Sequence, residues 1–515
     1  MREETQKLTY IFMFIIFAIT FYLLRNNVYC IDDLIYHFLE QPLAVFREYY
    51  YGTWIMPFQN ITMYIMPRII GINFQDWALI GGTTIKALTI TLMMLCFLKT
   101  FLNNEINKIY SYALTFFVFM LLFCLFGQNK FADLIIMSGF FRFIIPAALL
   151  IWTLYLMFKH FTGKKTNLYL LFPVCFLTAY ASEITAGILL VSLFILFFYK
   201  ETEAKNIKEV LPYMTLLLVG FVGTLCLVCS TGFNYHITNK LGTQPVTIFV
   251  IYENLSEFTK VFINSLIVKY IVFWLIALCL YRFNKRREKY KHNIFAISVL
   301  SGVLIFGFSL IIMGKTNYDG GYWIEHKDIY SVFIPAILYA VTILALPYIK
   351  KKMTANWFRN TFVVVFVVFL VSFCYYSNQL EKELYAIKEY TYLRDKIRLF
   401  YYYKGQKPIY PMSTHICLAD KHIKQVYYEN KFNRSDNYYD DNFIHENSNG
   451  YLTMDKYYYP LNYKIYIDEP AAPVFLSHKD GIKSFLNNGG SIDEINNKKY
   501  RFKDLKNKDF VLNNR

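Results

Sequence analysis

Apolar stretches of about 16 to 22 residues recur along the first 376 residues, at roughly 8–25, 77–98, 109–127, 143–158, 167–182, 184–199, 211–230, 262–281, 294–313, 330–347 and 358–376. Each approaches the length a helix needs to cross a hydrocarbon core of roughly 30 Å. Lipid offers backbone amides no partners, so only helices and closed barrels span it. Runs this long, with no strict polar–apolar alternation, point to helices. Composition agrees: 56% of the 515 residues are hydrophobic and 17% charged, and the mean hydropathy is +0.30. A soluble domain carries roughly 25% charged residues. The expected fold is an all-α polytopic membrane protein with about eleven transmembrane helices.

The net charge of +16 suggests nucleic acid at first sight, but its distribution speaks for topology, and no nucleic-acid partner is expected. Alternate connections are basic. One set holds Arg2 and Lys7; Lys99 and Lys108; Lys159, Lys164 and Lys165; Lys200, Lys205 and Lys208; Arg282, Lys285, Arg286, Arg287, Lys289 and Lys291; and Lys350, Lys351, Lys352 and Arg359. The intervening loops up to residue 329 carry nine basic residues against these 20. The positive-inside rule then places the N-terminus in the cytoplasm and, after eleven crossings, the C-terminus outside. The first apolar helix is long and lacks a following small-residue cleavage site, so it reads as a span rather than a cleavable signal. Seven of the nine cysteines lie in apolar runs, where a thiol behaves as a small hydrophobe. Cys226 and Cys229 have redox or zinc spacing but no His or charged neighbour, which favours packing. Cys30 and Cys417 would both lie outside.

The polar sequence is concentrated on the outer side. Residues 1–377 are expected to form the membrane domain and 378–515 an extracytoplasmic domain of small α/β type. In the first outer loop, Asp33 to Tyr51 has an amphipathic helical pattern, and Trp54, Tyr64 and Trp77 suit headgroup depth. The tail opens with a helical pattern from Leu380 to Tyr401. A strand-like run at Lys464–Ile467 and a helix at Asp480–Asn487, broken by Gly489-Gly490, are expected later.

Asp32 and Asp33, just past the first span, are the leading catalytic candidates. A carboxylate there can take a proton from an attacking hydroxyl, while its neighbour tunes its pKa or helps hold a divalent cation. Either can also cap the helix that follows. Arg142, Lys315 and Lys327 stand at outer helix ends, where they can bind a phosphate or snorkel to the interface. Glu183, between two apolar helices, is costly unless its turn is wet. His37 lies one helical turn beyond Asp33. The remaining histidines show no metal-ligand spacing, and neither a Walker loop nor a GxGxxG motif is present. No nucleotide site is expected, and a divalent cation stays open as a cofactor.

The layout resembles the GT-C class of membrane glycosyltransferases, and more closely bacterial serotype-converting multi-pass glucosyltransferases. The residues that carry the resemblance are Asp32, Asp33 and Tyr36 in the first loop, and Trp54 in the same loop. Gly139, Phe141 and Pro146 enter a middle helix, and Ser182-Glu183 forms the turn. It covers about residues 1–350. Where those proteins often have Gly-Arg soon after the Trp, this chain has Ile55-Met56-Pro57. The resemblance implies a polyprenyl-phosphate-linked sugar donor, a glycan, lipid or protein acceptor outside a bacterial cytoplasmic membrane, and inversion at the anomeric carbon. It gives Asp32 and Asp33 catalytic roles. It makes Tyr36, Trp54 and Glu183 substrate-binding candidates, beside His37, Arg142, Lys315 and Lys327, which the chemistry of the outer loops singles out. An O-antigen polymerase or ligase, a transporter or flippase, and an adhesion protein remain as alternatives. A transporter predicts mid-helix ionisable residues, of which Lys86 and Lys269 are the main ones here.

Overall fold

The computed structural model describes residues 2–25, 53–70, 77–126, 139–204, 206–230, 276–277, 279, 290–313, 328–353, 355–403, 409–411 and 474–476. The described chain is mostly helical. Helix α1 covers Arg2–Leu24. The first connection contributes α2 (Ile55–Gln59), a π-helical segment π1 (Asn60–Ile65) and α3 (Met66–Ile70). Segment π2 (Ala78–Gly82) leads into α4 (Thr83–Asn103), and α5 covers Lys108–Phe126. Segment π3 (Phe140–Ile144) leads into α6 (Ile145–Phe161). Then follow α7 (Leu168–Ala179), α8 (Glu183–Glu203), α9 (Ile207–Val228), α10 (Tyr290–Met313), α11 (Asp328–Lys352) and α12 (Asn356–Tyr403). Among the described residues seven helices are long and apolar enough to cross a membrane, and three shorter apolar helices accompany them.

The lysine-rich connections gather at one end of the bundle. Lys164 donates to the Asn103 carbonyl and to Asn104, Lys350 pairs with Glu105, and Lys200 stands 5.1 Å from the Phe161 ring. Burial holds the Lys164 ammonium below the usual lysine range, with Lys350 and Lys159 adding to the shift and Glu105 opposing it. We call this the basic end. The opposite, far end holds Leu24, Thr83, Trp54 and Leu177: Thr83 Oγ1 donates to the Leu24 carbonyl at 3.2 Å, and Trp54 Nε1 to the Leu177 carbonyl at 2.8 Å. Helix α9 ends at the far end and α10 begins at the basic end, where His292 packs on Phe158. The span expected at 262–281 would carry the chain between them. It lies outside the described residues except for helical positions 276, 277 and 279.

Lipid tails are as apolar as leucine, so helices in a membrane associate through close packing and polar contacts rather than through exclusion from water. Gly302 of α10 faces α8: a Cβ there would stand 2.6 Å from the Ile188 carbonyl oxygen and 3.1 Å from Ser192 Oγ. Ser192 also donates across to the Ser298 carbonyl at 3.3 Å. Buried Thr100 and Tyr339 share a hydrogen bond at 2.9 Å between α4 and α11. Helices α5 and α12 run parallel and interlock aromatic rings, Tyr110 with Phe362, Phe117 with Phe369 and Phe123 with Phe373. Asn107, Asn167, Ser182 and Asn206 accept backbone N–H groups at four helix starts. These caps let short connections end one helix and begin the next.

Helix α12 runs unbroken for 48 residues, about 72 Å at 1.5 Å per residue. The expected span at 358–376 and the expected helix at 380–401 are therefore one rod, and the junction at 377/378 falls within it. Just past its apolar part, Glu381 pairs with Arg25 and accepts from Tyr22, tying α12 to the far end of α1. Beyond it, Ile409–Pro411 (β1) pairs in parallel with Val474–Leu476 (β2), with Tyr410 opposite Phe475. The strand and helix expected at 464–467 and 480–487 lie outside the described residues. Cys226 and Cys229 are free and exposed rather than packed. Cys30 and Cys417 lie outside the described residues.

Candidate functional site

The three π-helical segments among the described residues all lie at the far end, and two have a proline behind them. In π1 the Met66 N–H reaches back to the Ile61 carbonyl, and in π3 the Ile145 N–H reaches back to the Phe140 carbonyl. Pro67 and Pro146 come next in sequence. A proline has no N–H to give, and its ring crowds the carbonyl four residues back. Widening the preceding turn relieves that crowding. π-bulges of this kind occur frequently at functional sites.

In π1 the bulge frees a specific acceptor. Met66 donates to Ile61, and Pro67 has nothing to donate, so the Thr62 carbonyl is left for a side chain. Trp77 Nε1 takes it at 2.9 Å. The Trp77 ring lies against Gly81 of π2, where a Cβ would stand 2.4 Å from it. Glycine is thus required for the indole to sit across the two π-turns.

Trp54 acts in a similar way on the other side. At the end of α7, the Tyr180 N–H goes back to Phe176 and the Ala181 N–H to Thr178. The Leu177 carbonyl between them receives the Trp54 indole. Thr185 Oγ1 donates to the Thr178 carbonyl at 2.8 Å, and Ser182 caps α8. The Ser182-Glu183 turn is therefore built from side chain to backbone bonds, with Glu183 as the first residue of α8.

Phe58 then joins the segment at 55–70 to π3. Its ring lies 5.9 Å from Trp54 and 5.7 Å from Phe141. Arg142, half-buried on π3, is the charged side chain that acts electrostatically on half-buried Glu183. Three of the residues singled out from sequence, Trp54, Arg142 and Glu183, are thus brought to one locality from three separate parts of the chain. In this locality Trp54 has a positioning role, since its only polar atom is bonded to backbone.

Asp32, Asp33, Tyr36, His37, Lys315 and Lys327 lie outside the described residues, as does the amphipathic helix expected at 33–51. Among the described residues no cluster of His, Cys, Asp and Glu could hold a metal ion. Sequence reasoning missed the place of Lys86. This lysine is 0% exposed and its Nζ lies 5.5 Å from the centre of the Phe140 ring, on the turn that carries Arg142. A lone cation in an apolar run was the available signal. Gln59, also 0% exposed, lies at the start of π1. No family model matches the chain, and no curated protein matches it.

Proposed function

We propose that this chain is a GT-C type glycosyltransferase with about eleven spans. It moves a sugar from a polyprenyl-phosphate-linked donor to a glycan, lipid or protein acceptor on the outer side of a bacterial cytoplasmic membrane. The observation that carries the reading is the far-end locality in which Arg142 acts electrostatically on Glu183 beside a segment pinned by Trp54. A cation held at the end of a membrane bundle suits a phosphate that is attached to lipid and gathers charge as it leaves.

In this mechanism the acceptor hydroxyl oxygen attacks the anomeric carbon as the bond from that carbon to the phosphate oxygen breaks. Asp32 or Asp33 takes the hydroxyl proton, and the electron pair leaves with the polyprenyl phosphate. Arg142 holds that phosphate, together with Lys315 and Lys327. Glu183 orients Arg142 by its charge. A single displacement inverts the anomeric centre. Residues 378–515 stand outside and are the part of the chain placed to meet the acceptor. Asp32→Asn and Asp33→Asn test the base. In membranes supplied with a labelled polyprenyl-phosphate sugar, at least one should lower transfer by roughly 10²–10⁴-fold with insertion intact. Full transfer by both variants removes the carboxylate pair from the mechanism.

A polytopic transporter or flippase is the second reading, favoured by buried Lys86 and by the broken helical geometry of the π-turns. A flippase moves the lipid-linked sugar across the bilayer and leaves its glycosidic bond whole. Loss of that bond in vesicles decides between the two.

A further inference from the structure

Helix α12 is the least enclosed of the candidate spans among the described residues: 6% of its apolar window is buried, against 72% in α11. One stripe of it stays bare from end to end. Trp357, Val364, Val368, Val371 and Tyr375 are all more than half exposed, and at 3.6 residues per turn they fall on one narrow face. From Trp357 to Tyr375 the stripe is about 27 Å long at 1.5 Å per residue, close to a hydrocarbon core of roughly 30 Å. Tryptophan and tyrosine are the residues that collect at the two membrane–water interfaces. The valines therefore face acyl chains, and Trp357 stands at headgroup depth at the basic end. Its neighbour Phe358 packs on Tyr348 of α11 with ring centres 5.9 Å apart, which leaves the indole turned outward.

A cation is held beside that indole. Lys352 ends α11, and the Ala355 N–H returns to its carbonyl at 2.9 Å, so the connection to α12 is tight. Its Nζ lies 5.6 Å from the centre of the Trp357 ring, within the range of a cation–π contact. Such a contact holds an ammonium in place without neutralising its charge. Lys350, two residues back, is already paired with Glu105. No Asp or Glu occurs in the sequence between Asp328 and Glu381, so most of α11 and the whole apolar part of α12 bring no carboxylate of their own. A choline or ethanolamine headgroup carries an ammonium next to its phosphate, whereas a glycerol headgroup leaves the phosphate charge for the protein. We propose that Lys352 and Trp357 form a site for an anionic phospholipid of the phosphatidylglycerol kind. The phosphate lies at Lys352, the headgroup edge at Trp357, and one acyl chain along Val364 and Val368. The site is at the opposite end of the bundle from Arg142 and Glu183 and does not depend on the transfer reaction.

The test uses the full-length chain in phosphatidylcholine vesicles. Increasing shares of phosphatidylglycerol or of phosphatidylcholine, brominated near the headgroup end of the acyl chain, are added, because bromine quenches an indole that it touches. The emission lost in Trp357→Phe isolates the Trp357 signal in each background. Brominated phosphatidylglycerol should half-quench Trp357 at about a fivefold lower share than brominated phosphatidylcholine, the gain from one cation near an anionic lipid. Lys352→Gln should remove that preference and Lys352→Arg should keep it. Inorganic phosphate should shift the curves no more than potassium chloride of equal ionic strength. Four results overturn the proposal. Equal curves for the two lipids remove the selectivity, and an unchanged preference in Lys352→Gln removes the lysine. Specific displacement by inorganic phosphate makes the ligand a free anion from water. Absence of Trp357 quenching by either lipid means that protein covers the stripe, and cross-linking between two copies through Val368→Cys then identifies a dimer. Should Lys352→Gln fail to insert, the wild-type curves and Lys352→Arg still decide the lipid preference.

Discussion

Replacing Trp54 by Phe removes one hydrogen-bond donor and keeps an aromatic ring beside Phe58. The donor bonds the Leu177 carbonyl at 2.8 Å, a normal length for N–H to O. Among the described residues no helical N–H takes that carbonyl: those of Tyr180 and Ala181 go to Phe176 and Thr178. An acceptor left without its partner costs about 1–3 kcal/mol when buried. The Trp54 and Leu177 side chains are only half-buried, so the lower part of that range applies, about 1–2 kcal/mol. That is a factor of roughly 5–30 in the ratio of folded to unfolded chain. The assay is SDS titration of the purified protein in mixed micelles, followed by circular dichroism. Trp152→Phe is the control, because Trp152 faces outward from α6, and surface changes usually stay within about 0.5 kcal/mol. If Trp54→Phe unfolds within about 0.5 kcal/mol of wild type, the indole does not fasten the 55–70 segment to the α7–α8 turn, and the construction of the site fails with it.

Three further outcomes follow from the same geometry. Gly302→Leu should destabilise the bundle by about 1–3 kcal/mol or more, since even a Cβ meets the Ile188 carbonyl oxygen at 2.6 Å; an unchanged SDS midpoint refutes the α8–α10 contact. A double-mutant cycle with Arg142→Gln and Glu183→Gln should give a coupling of about 1 kcal/mol in stability, and additive changes would mean that the two charges do not interact. Accessibility tags at Lys289 and Lys351 should be cytoplasmic and one near Lys431 external; a cytoplasmic tail reverses the far end and removes an outward-facing site.

Much of the arrangement was legible because lipid restricts what a sequence can do. Apolar length marked the helices. The alternation of Lys164, Lys200 and Lys350 with less basic loops anticipated which ends lie together, and the contacts of those lysines gather at one end. The unbroken α12 was hidden because polarity changes near residue 377 while helix-forming ability does not: no Gly or Pro occurs between Asn356 and Tyr403. Polarity sets where a helix leaves the membrane, and only breakers or caps set where it stops. The π-turns were hidden for a different reason. Pro67 and Pro146 announce a disturbed turn, but whether a helix kinks or bulges depends on what can accept the displaced backbone groups. Here Trp77, from another part of the chain, takes the Thr62 carbonyl. Lys86 stood out as a charge in an apolar run, yet it lies beside Phe140, which no local pattern connects to it. Trp54 and Glu183 were singled out from sequence, and the structure assigns the indole to positioning.

The central claim is that the chain consumes a lipid-linked sugar. The direct measurement follows a labelled polyprenyl-phosphate sugar pool in membrane vesicles prepared with and without the protein. The account predicts that label leaves the lipid and enters an acceptor only when the protein is present, with loss of that transfer in Arg142→Gln. An intact lipid-linked pool in vesicles that contain the correctly inserted wild-type chain, its acceptor side supplied with native glycan, would contradict it.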